Sequence, residues 1–207
     1  MIIDCIADLH GHYPKLEGGD LLIVAGDLTA RDIENEVALF DYWINEQNYR
    51  NKIVVGGNHD NVLAEGRIKL QFAQYLCDSG TEFEGLKIWG SPWTKTFEGM
   101  NPNCKAFTVD TEEELASKFS LIPDNIDILV THSPPYGVLD QNIEEDYCGS
   151  SSLIKPMIYS GCKFHIFGHI HESYGKFYNA ILDITYINAS HVNERYKPVN
   201  KPVRIIL

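Results

Sequence analysis

A layered α/β fold with two packed β-sheets and few helices is what this sequence predicts, and three observations lead there. Eight short apolar runs are bounded by turn residues, several are separated by helix-length segments, and eight strands exceed one small sheet. The runs are IIDCIA (2–7), DLLIVA (20–25), KIVV (52–55), LKIW (86–89), DILVT (127–131), KFHIF (163–167), ILDITYIN (181–188) and VRIIL (203–207). Between them, residues 33–49 place Val37, Phe40, Trp43 and Ile44 at helical spacing. Residues 62–77 do the same with Leu63, Ile68, Phe72, Tyr75 and Leu76. Thr111, followed three residues later by Glu114, gives a capping-box start to a helix over 111–119, and 150–160 is a fourth helical segment. DQNIEEDY (140–147) reads as a solvated acidic loop.

A chain of 207 residues, 44% apolar and without repeat or linker-like tract, suits one domain over 1–207 with one full core. No apolar run approaches the length that crosses a bilayer. The opening MIIDCIADLH carries aspartates and lacks the basic segment and cleavage site of a secretory leader, so a cytoplasmic protein with no membrane partner is expected. The five cysteines are odd in number and form no C-x-x-C pair, which reads as reduced thiols rather than a disulfide framework or thiolate zinc site. A formal charge of −12 opposes tracking of a nucleic-acid backbone, which makes a long nucleic acid a poor partner and a nuclease a poor reading.

The chemistry sits where the strands stop. IIDCIA runs into Asp8-Leu9-His10, DLLIVA into Gly26-Asp27, KIVV into Gly56-Gly57-Asn58-His59-Asp60, DILVT into His132, and KFHIF into Gly168-His169-Ile170-His171. Open α/β sheets collect ligands in a crevice at the C-terminal ends of strands, so five strands delivering Asp, Asn and His there point to a metal site. Positions i and i+2 of extended chain share a side, which lets Asp8 pair with His10 and His169 with His171. Gly26, Gly57 and Gly168 permit sharp turns or close backbone approach beside them.

The series D-x-H, G-D, G-N-H-D, a lone His and G-H-x-H, spanning residues 8–171 in that order, resembles the calcineurin-like metallophosphoesterases. GNHD, GSPW (90–93), THSPPYGVLD (131–140), HIFGHIHESYG (165–175) and NAS (188–190) look most like the small metallophosphoesterase-domain proteins of brain type. The wider pattern is similar to the class III cyclic-nucleotide phosphodiesterases. Protein serine/threonine phosphatases carry Asp three residues after the bridging Asp and end the other motif GNHE, where this chain has Ala30 and Asp60.

The resemblance implies a four-layer α/β/β/α sandwich of two mixed sheets. It also implies two divalent ions, one on Asp8, His10, Asp27 and His171, the other on Asp27, Asn58, His132 and His169, with Asp27 bridging. Imidazole and oxygen ligands without sulfur suit Mn²⁺ first, with iron or Zn²⁺ as alternatives. The implied reaction is hydrolysis of a small phosphodiester, such as a cyclic nucleotide, by a hydroxide shared between the ions. A phosphomonoesterase or protein phosphatase, or a non-catalytic metal-binding scaffold, is the alternative.

Around the ligands, the resemblance places His59 beside the leaving group as general acid or electrostatic stabiliser, against a structural turn histidine. Asp60 either orients His59 or caps the helix that follows. Arg31 either contacts phosphate or is solvated, and Asp32 only opens the next helix. His165 lies a strand step deeper than His169 and reads as a core histidine, whereas His12 and His191 read as exposed loop residues. Trp93 could stack on a nucleobase or serve as a core aromatic.

Overall fold

The structure, a computed structural model, describes every residue except Glu98. Thirteen strands are formed among the described residues. They are β1 (Ile2–Ile6), β2 (Gly19–Ala25), β3 (Tyr49–Val55), β4 (Gln74–Leu76), β5 (Ser79–Phe83), β6 (Leu86–Ser91) and β7 (Thr94–Lys95), followed by β8 (Thr108–Val109), β9 (Ile128–Thr131), β10 (Phe164–Phe167), β11 (Gly175–Asn179), β12 (Ile184–Asn188) and β13 (Val203–Ile206). Helices are α1 (Glu34–Glu46), α2 (Asn61–Ala64), α3 (Glu112–Phe119) and α4 (Ile154–Ser160). One sheet has the order β13-β1-β2-β3-β4 and the other β11-β12-β10-β9-β6-β5, while β7 and β8 form a small separate pair. The inner strands of both large sheets run parallel, and antiparallel β13, β11 and β5 complete their edges, so both sheets are mixed as expected.

Alternation along the strands builds the layers. Ile3, Cys5, Ile23, Ile53 and Val55 of the first sheet meet Ile88, Ile128, Val130, Ile166 and Ile187 of the second in one buried inter-sheet core. The opposite faces are covered by helices. Ile6, Leu22, Val24 and Val54 lie under Val37, Phe40, Trp43 and Ile44 of α1. Leu129, Phe167 and Tyr186 lie under Leu115 and Phe119 of α3 and Met157 of α4. This is the four-layer sandwich. At one end the sheets are stitched together, Ala7 N–H donating to Ala189 O at 2.8 Å and His191 N–H to Ala7 O at 2.7 Å. No helix of the described residues is long and apolar enough to cross a membrane.

All eight expected strands form, and the capping box on α3 is present, with Glu114 N–H donating to Thr111 Oγ1 at 3.2 Å and Thr111 N–H to Glu114 Oε2 at 3.0 Å. Several boundaries differ. The helix expected over 62–77 is a single turn, because Gly66 leaves it at φ 65° and the Asp41 carboxylate captures the Gln71 and Phe72 amides, after which β4 pairs with β3. Leu63, Ile68 and Tyr75 still pack against the α1 side of the sheet, so the apolar spacing reports burial without helix. The run at 181–188 becomes strand only from Ile184, since Ile181 sits 95% exposed at a turn tip. The helix expected over 33–49 ends at Glu46, and Tyr49 already belongs to β3. In the acidic loop 140–147, Asp140 is buried and accepts from Gly137 N–H and Gly149 N–H at 3.0 and 2.9 Å, which ties the loop down. His191, expected exposed, is buried with Nδ1 2.7 Å from Asn200 O, whereas His12 is exposed as expected.

Candidate metal centre

The strand ends deliver their polar residues to the stitched seam between the sheets. Three sets of side chains place ligand atoms within 4.8 Å of one another: Asp8, His10 and His171; His10, Asp27 and His59; and Asp8, Asp27 and His132. His10 Nε2 faces His171 Nε2 at 3.3 Å, and His171 Nε2 lies 3.6 Å from Asp8 Oδ1. Asp27 faces both ways, with Oδ2 3.5 Å from His10 Nε2 and Oδ1 3.4 Å from His132 Nε2. His132 Nε2 also lies 3.1 Å from Asn58 Oδ1. His169 is further out, edge-on to His132 with centroids 4.9 Å apart and Nε2 3.3 Å from Thr94 Oγ1.

Backbone geometry makes this convergence fit. Asp8, His10, Asp27 and His169 all adopt left-handed backbone, at φ 51°, 42°, 55° and 71°, a conformation that non-glycine residues hold only where the surroundings enforce it. Two close approaches then require glycine. A Cβ at Gly57 would overlap the Asp27 carboxylate, and one at Gly168 would overlap that of Asp8. The Asp8 carboxylate is fixed further by His169 N–H at 2.9 Å and Ser190 Oγ at 2.6 Å.

Asp8 and Asp27 are buried, and among the described residues their charged partners are imidazoles alone. Burial would raise the Asp27 carboxyl, but His132, His59 and His10 hold it well below the usual range. Asp8 likewise falls to about 2 against burial, through its hydrogen bond to His171 and the charges of His171 and His132. Burial opposes protonation of His132 and His171, yet the aspartates prevail and raise both, His132 to about 9. Burial dominates at His10 and His169, which drop to about 4 and about 3. Such ligands bind a divalent cation in their deprotonated forms, so protons and a cation would compete for these carboxylates and imidazoles. His132 is already oriented for this, because its Nδ1 hydrogen-bonds Ala25 O at 3.0 Å and turns Nε2 to the centre. Oxygen and nitrogen donors converge without sulfur, and the residues fit a hard or borderline divalent ion.

His59 completes the group. Its Nε2 lies 4.0 Å from Asp27 Oδ2, and its Nδ1 lies 3.3 Å from the Sγ of Cys104. Asp60 takes neither expected role. Its buried carboxylate accepts from Gly57 N–H at 2.8 Å and Leu28 N–H at 3.0 Å, bracing the turns that carry Asn58 and Asp27, and it makes no side-chain cap. The cap on the short α2 comes from Asp32, which accepts from Val62 N–H at 3.0 Å. Arg31 is exposed. Trp93 packs as a partly buried aromatic, donating to Asp78 Oδ2 at 2.6 Å with Lys118 Nζ 3.7 Å over its ring. His165 is fully buried beside Thr131, as expected.

Sequence reasoning missed Cys104, Ser190, Thr94 and Tyr196, whose ring lies edge-on to His10 and His171 at 4.8 and 5.2 Å. Ser190 had a legible signal, since it follows a strand end as the other site residues do. Cys104 and Tyr196 sit in irregular segments whose path no local pattern encodes.

The model of the calcineurin-like phosphoesterase family matches residues 1–173. The chain belongs to that family. This calcineurin-like phosphoesterase is 32% identical to the metallophosphoesterase domain-containing protein 1 of Homo sapiens and that of Mus musculus, over 98% of its own length and 70% of theirs. The structure of TT1561 of Thermus thermophilus shares the fold at a TM-score of 0.61 and 15% identity, over 90% of this chain and 88% of that one. GAP50, the anchor in the inner membrane complex of Plasmodium, shares it at a TM-score of 0.52 and 13% identity, over 92% and 71%. The calcineurin-like phosphoesterases depend on metal and hydrolyse phosphoric esters, and the Asp/His sets described above are the candidate site for that metal.

Proposed function

We propose that this chain hydrolyses small phosphodiesters, cyclic nucleotides among them, at a binuclear centre. The observation that carries the reading is Asp27, whose two oxygens face separate ligand sets, His10 at 3.5 Å and His132 at 3.4 Å. Asp8, His10, Asp27 and His171 would hold one ion, and Asp27, Asn58, His132 and His169 the other. Bound there, two divalent ions, Mn²⁺ first, would supply Lewis acidity at a phosphoryl oxygen and a water of lowered pKa. The chain's own contribution to bond cleavage would be His59, whose Nε2 lies 4.0 Å from Asp27 Oδ2 and which, as the imidazolium, would protonate the leaving oxygen. We read a diester ahead of a monoester because it carries less charge, and among the described residues the site carboxylates face imidazoles and no Lys or Arg.

The test is turnover of bis-p-nitrophenyl phosphate against p-nitrophenyl phosphate by metal-reconstituted protein, with metal content by mass spectrometry. The native chain is expected to hold two ions and prefer the diester. Asp27→Ala is expected to lose both, with activity falling by more than the roughly 10–100-fold typical of residues that merely support a ligand. Preference for the monoester would make it a phosphomonoesterase. Tight binding of ions without turnover would make it a scaffold, and a mutant retaining two ions would sink the bridging role.

A further inference from the structure

A cavity of about 470 Å³ lies away from the candidate centre, and none of the candidate metal ligands lines it. This volume falls in the range of small-molecule sites. Pro14 and Leu16 of the β1–β2 connection and Pro198, Val199 and Pro202 of the segment before β13 give it an apolar lining. The walls are pre-organised by bonds to their backbone. Trp43 Nε1–H donates to Pro14 O at 2.8 Å, Asn200 N–H to His191 O at 3.1 Å, Asn200 Nδ2–H to Ser190 O at 2.9 Å and Tyr174 O–H to Lys201 O at 2.9 Å. Binding there orders little chain.

His191 is the group that calls for a ligand. It lines the cavity although it is only 6% exposed. Its Nδ1 lies 2.7 Å from Asn200 O, and a carbonyl only accepts, so Nδ1 carries the hydrogen. Nε2 is then a bare acceptor, without a partner among the described residues. Burial lowers the pKa of the imidazole, which keeps Nε2 unprotonated near neutral pH. A largely buried acceptor that opens on a cavity is satisfied by a ligand that donates, such as a hydroxyl. The charges are the second observation. Lys15, Lys201 and Arg204 line the cavity together with Asp4 and Glu17. Arg204 engages both carboxylates, with Nε and Nη2 each 2.8 Å from Asp4 and Nη1 3.0 Å from Glu17. Lys15 and Lys201 are exposed and make no ion pair among the described residues, which leaves two uncompensated ammonium groups at this cavity in a chain of formal charge −12. An anion is drawn there and a cation repelled.

We infer that this cavity binds a small organic anion with an apolar body and a hydroxyl, its anionic group at Lys15 and Lys201 and its hydroxyl on His191 Nε2. The site is separate from the proposed phosphodiesterase centre, and chelator-treated chain tests it without turnover. Three probes share a ring and differ by one group. 4-Hydroxyphenylacetate carries acid and hydroxyl, phenylacetate lacks the hydroxyl, and tyramine exchanges the acid for an amine. Titration followed by ¹H–¹⁵N NMR is expected to shift the amides of His191, Asn200 and Lys201 with 4-hydroxyphenylacetate. Phenylacetate is expected to bind about fivefold more weakly, as loss of one neutral hydrogen bond costs, and tyramine not to bind. Lys15→Ala/Lys201→Ala is expected to weaken 4-hydroxyphenylacetate by about tenfold or more, the scale of a charged hydrogen bond. Both lysines are exposed, and a thermal unfolding curve checks that the variant folds. His191→Phe keeps a ring without the acceptor and is expected to bring 4-hydroxyphenylacetate and phenylacetate to equal affinity. Inorganic phosphate, an anion with no apolar body, is expected not to displace 4-hydroxyphenylacetate at equal concentration. Tyramine binding as tightly as 4-hydroxyphenylacetate, displacement by phosphate, unchanged affinity in the lysine variant, or no shift at His191, Asn200 and Lys201 overturns the inference.

Discussion

At the scale of single residues, the contact that most shapes chemistry is Cys104 with His59. Burial pushes the Cys104 thiol up to about 11, so at neutral pH it keeps its proton, and its Sγ, 3.3 Å from His59 Nδ1, can accept from the imidazolium N–H. That contact would orient the imidazolium with Nε2–H toward the site, the form a general acid needs. Cys104 is thus a positioning residue. Cys104→Ala is expected to lower kcat by about tenfold on alkyl diesters, a part of the 10²–10⁴-fold typical of general acid catalysis. Nitrophenyl esters, whose leaving group departs without a proton, are expected to lose little. Cys104→Ser, which restores an acceptor for Nδ1–H, is expected to recover most of the loss. Steady-state rates across aryl and alkyl diesters at fixed metal occupancy check this, and equal defects in both variants would sink it.

At the scale of elements, the site depends on how closely the end of one strand approaches the end of another. β10 ends at Phe167 and Gly168 follows, where a Cβ would overlap the Asp8 carboxylate beyond β1. Gly168→Ala is therefore expected to displace Asp8 and weaken metal binding by about 10–100-fold, as loss of ligand support typically does. The far-UV circular dichroism spectrum should not change, because β10 pairs with β9 and β12 through residues that precede Gly168. Competition with a graded chelator measures the affinity. Gly161 is the control. It ends α4 at φ 71° with open space around it, so Gly161→Ala should cost about 1 kcal/mol of stability through backbone strain and leave metal affinity alone.

At the scale of the whole molecule, one buried titratable group links folding to pH away from the site. His165 in β10 is fully buried, and burial depresses it from its ordinary value to about 3. Thr131 Oγ1 donates to Ser133 O at 2.6 Å, so His165 Nε2–H donates to Thr131 at 2.8 Å and Nδ1 is left bare, without a partner among the described residues. Protonating it would bury an uncompensated charge. Between about pH 6.5 and 3 the unfolded chain binds this proton and the folded chain does not. The contribution is therefore complete above pH 6.5 and is lost as pH falls, at up to about 1.4 kcal/mol per pH unit. Urea unfolding of the native chain and His165→Leu between pH 5 and 7.5, with chelator present, is expected to show a shallower slope in the variant. Parallel slopes would exclude His165 as the source.

By itself, the sequence determined what depends on local periodicity and residue chemistry. Eight strands followed from short apolar runs, α1 and α3 from spacing and a capping box, and the candidate ligands from Asp, Asn and His placed where strands stop. A side chain at a strand end is positioned by the strand itself, which is why Asp8, His10, Asp27, Asn58, His132 and His171 were legible and do converge. Only the tertiary structure decided what depends on partners distant in the chain. β4 replaced a helix because Asp41, some thirty residues away, holds the Gln71 amide. Asp60 braces two turns instead of capping a helix, because Leu28 and Gly57 fold back onto it. Cys104 reaches His59 across 45 residues. Hydrogen-bond partners chosen across such separations are set by packing of the whole sandwich, and local spacing carries no record of them.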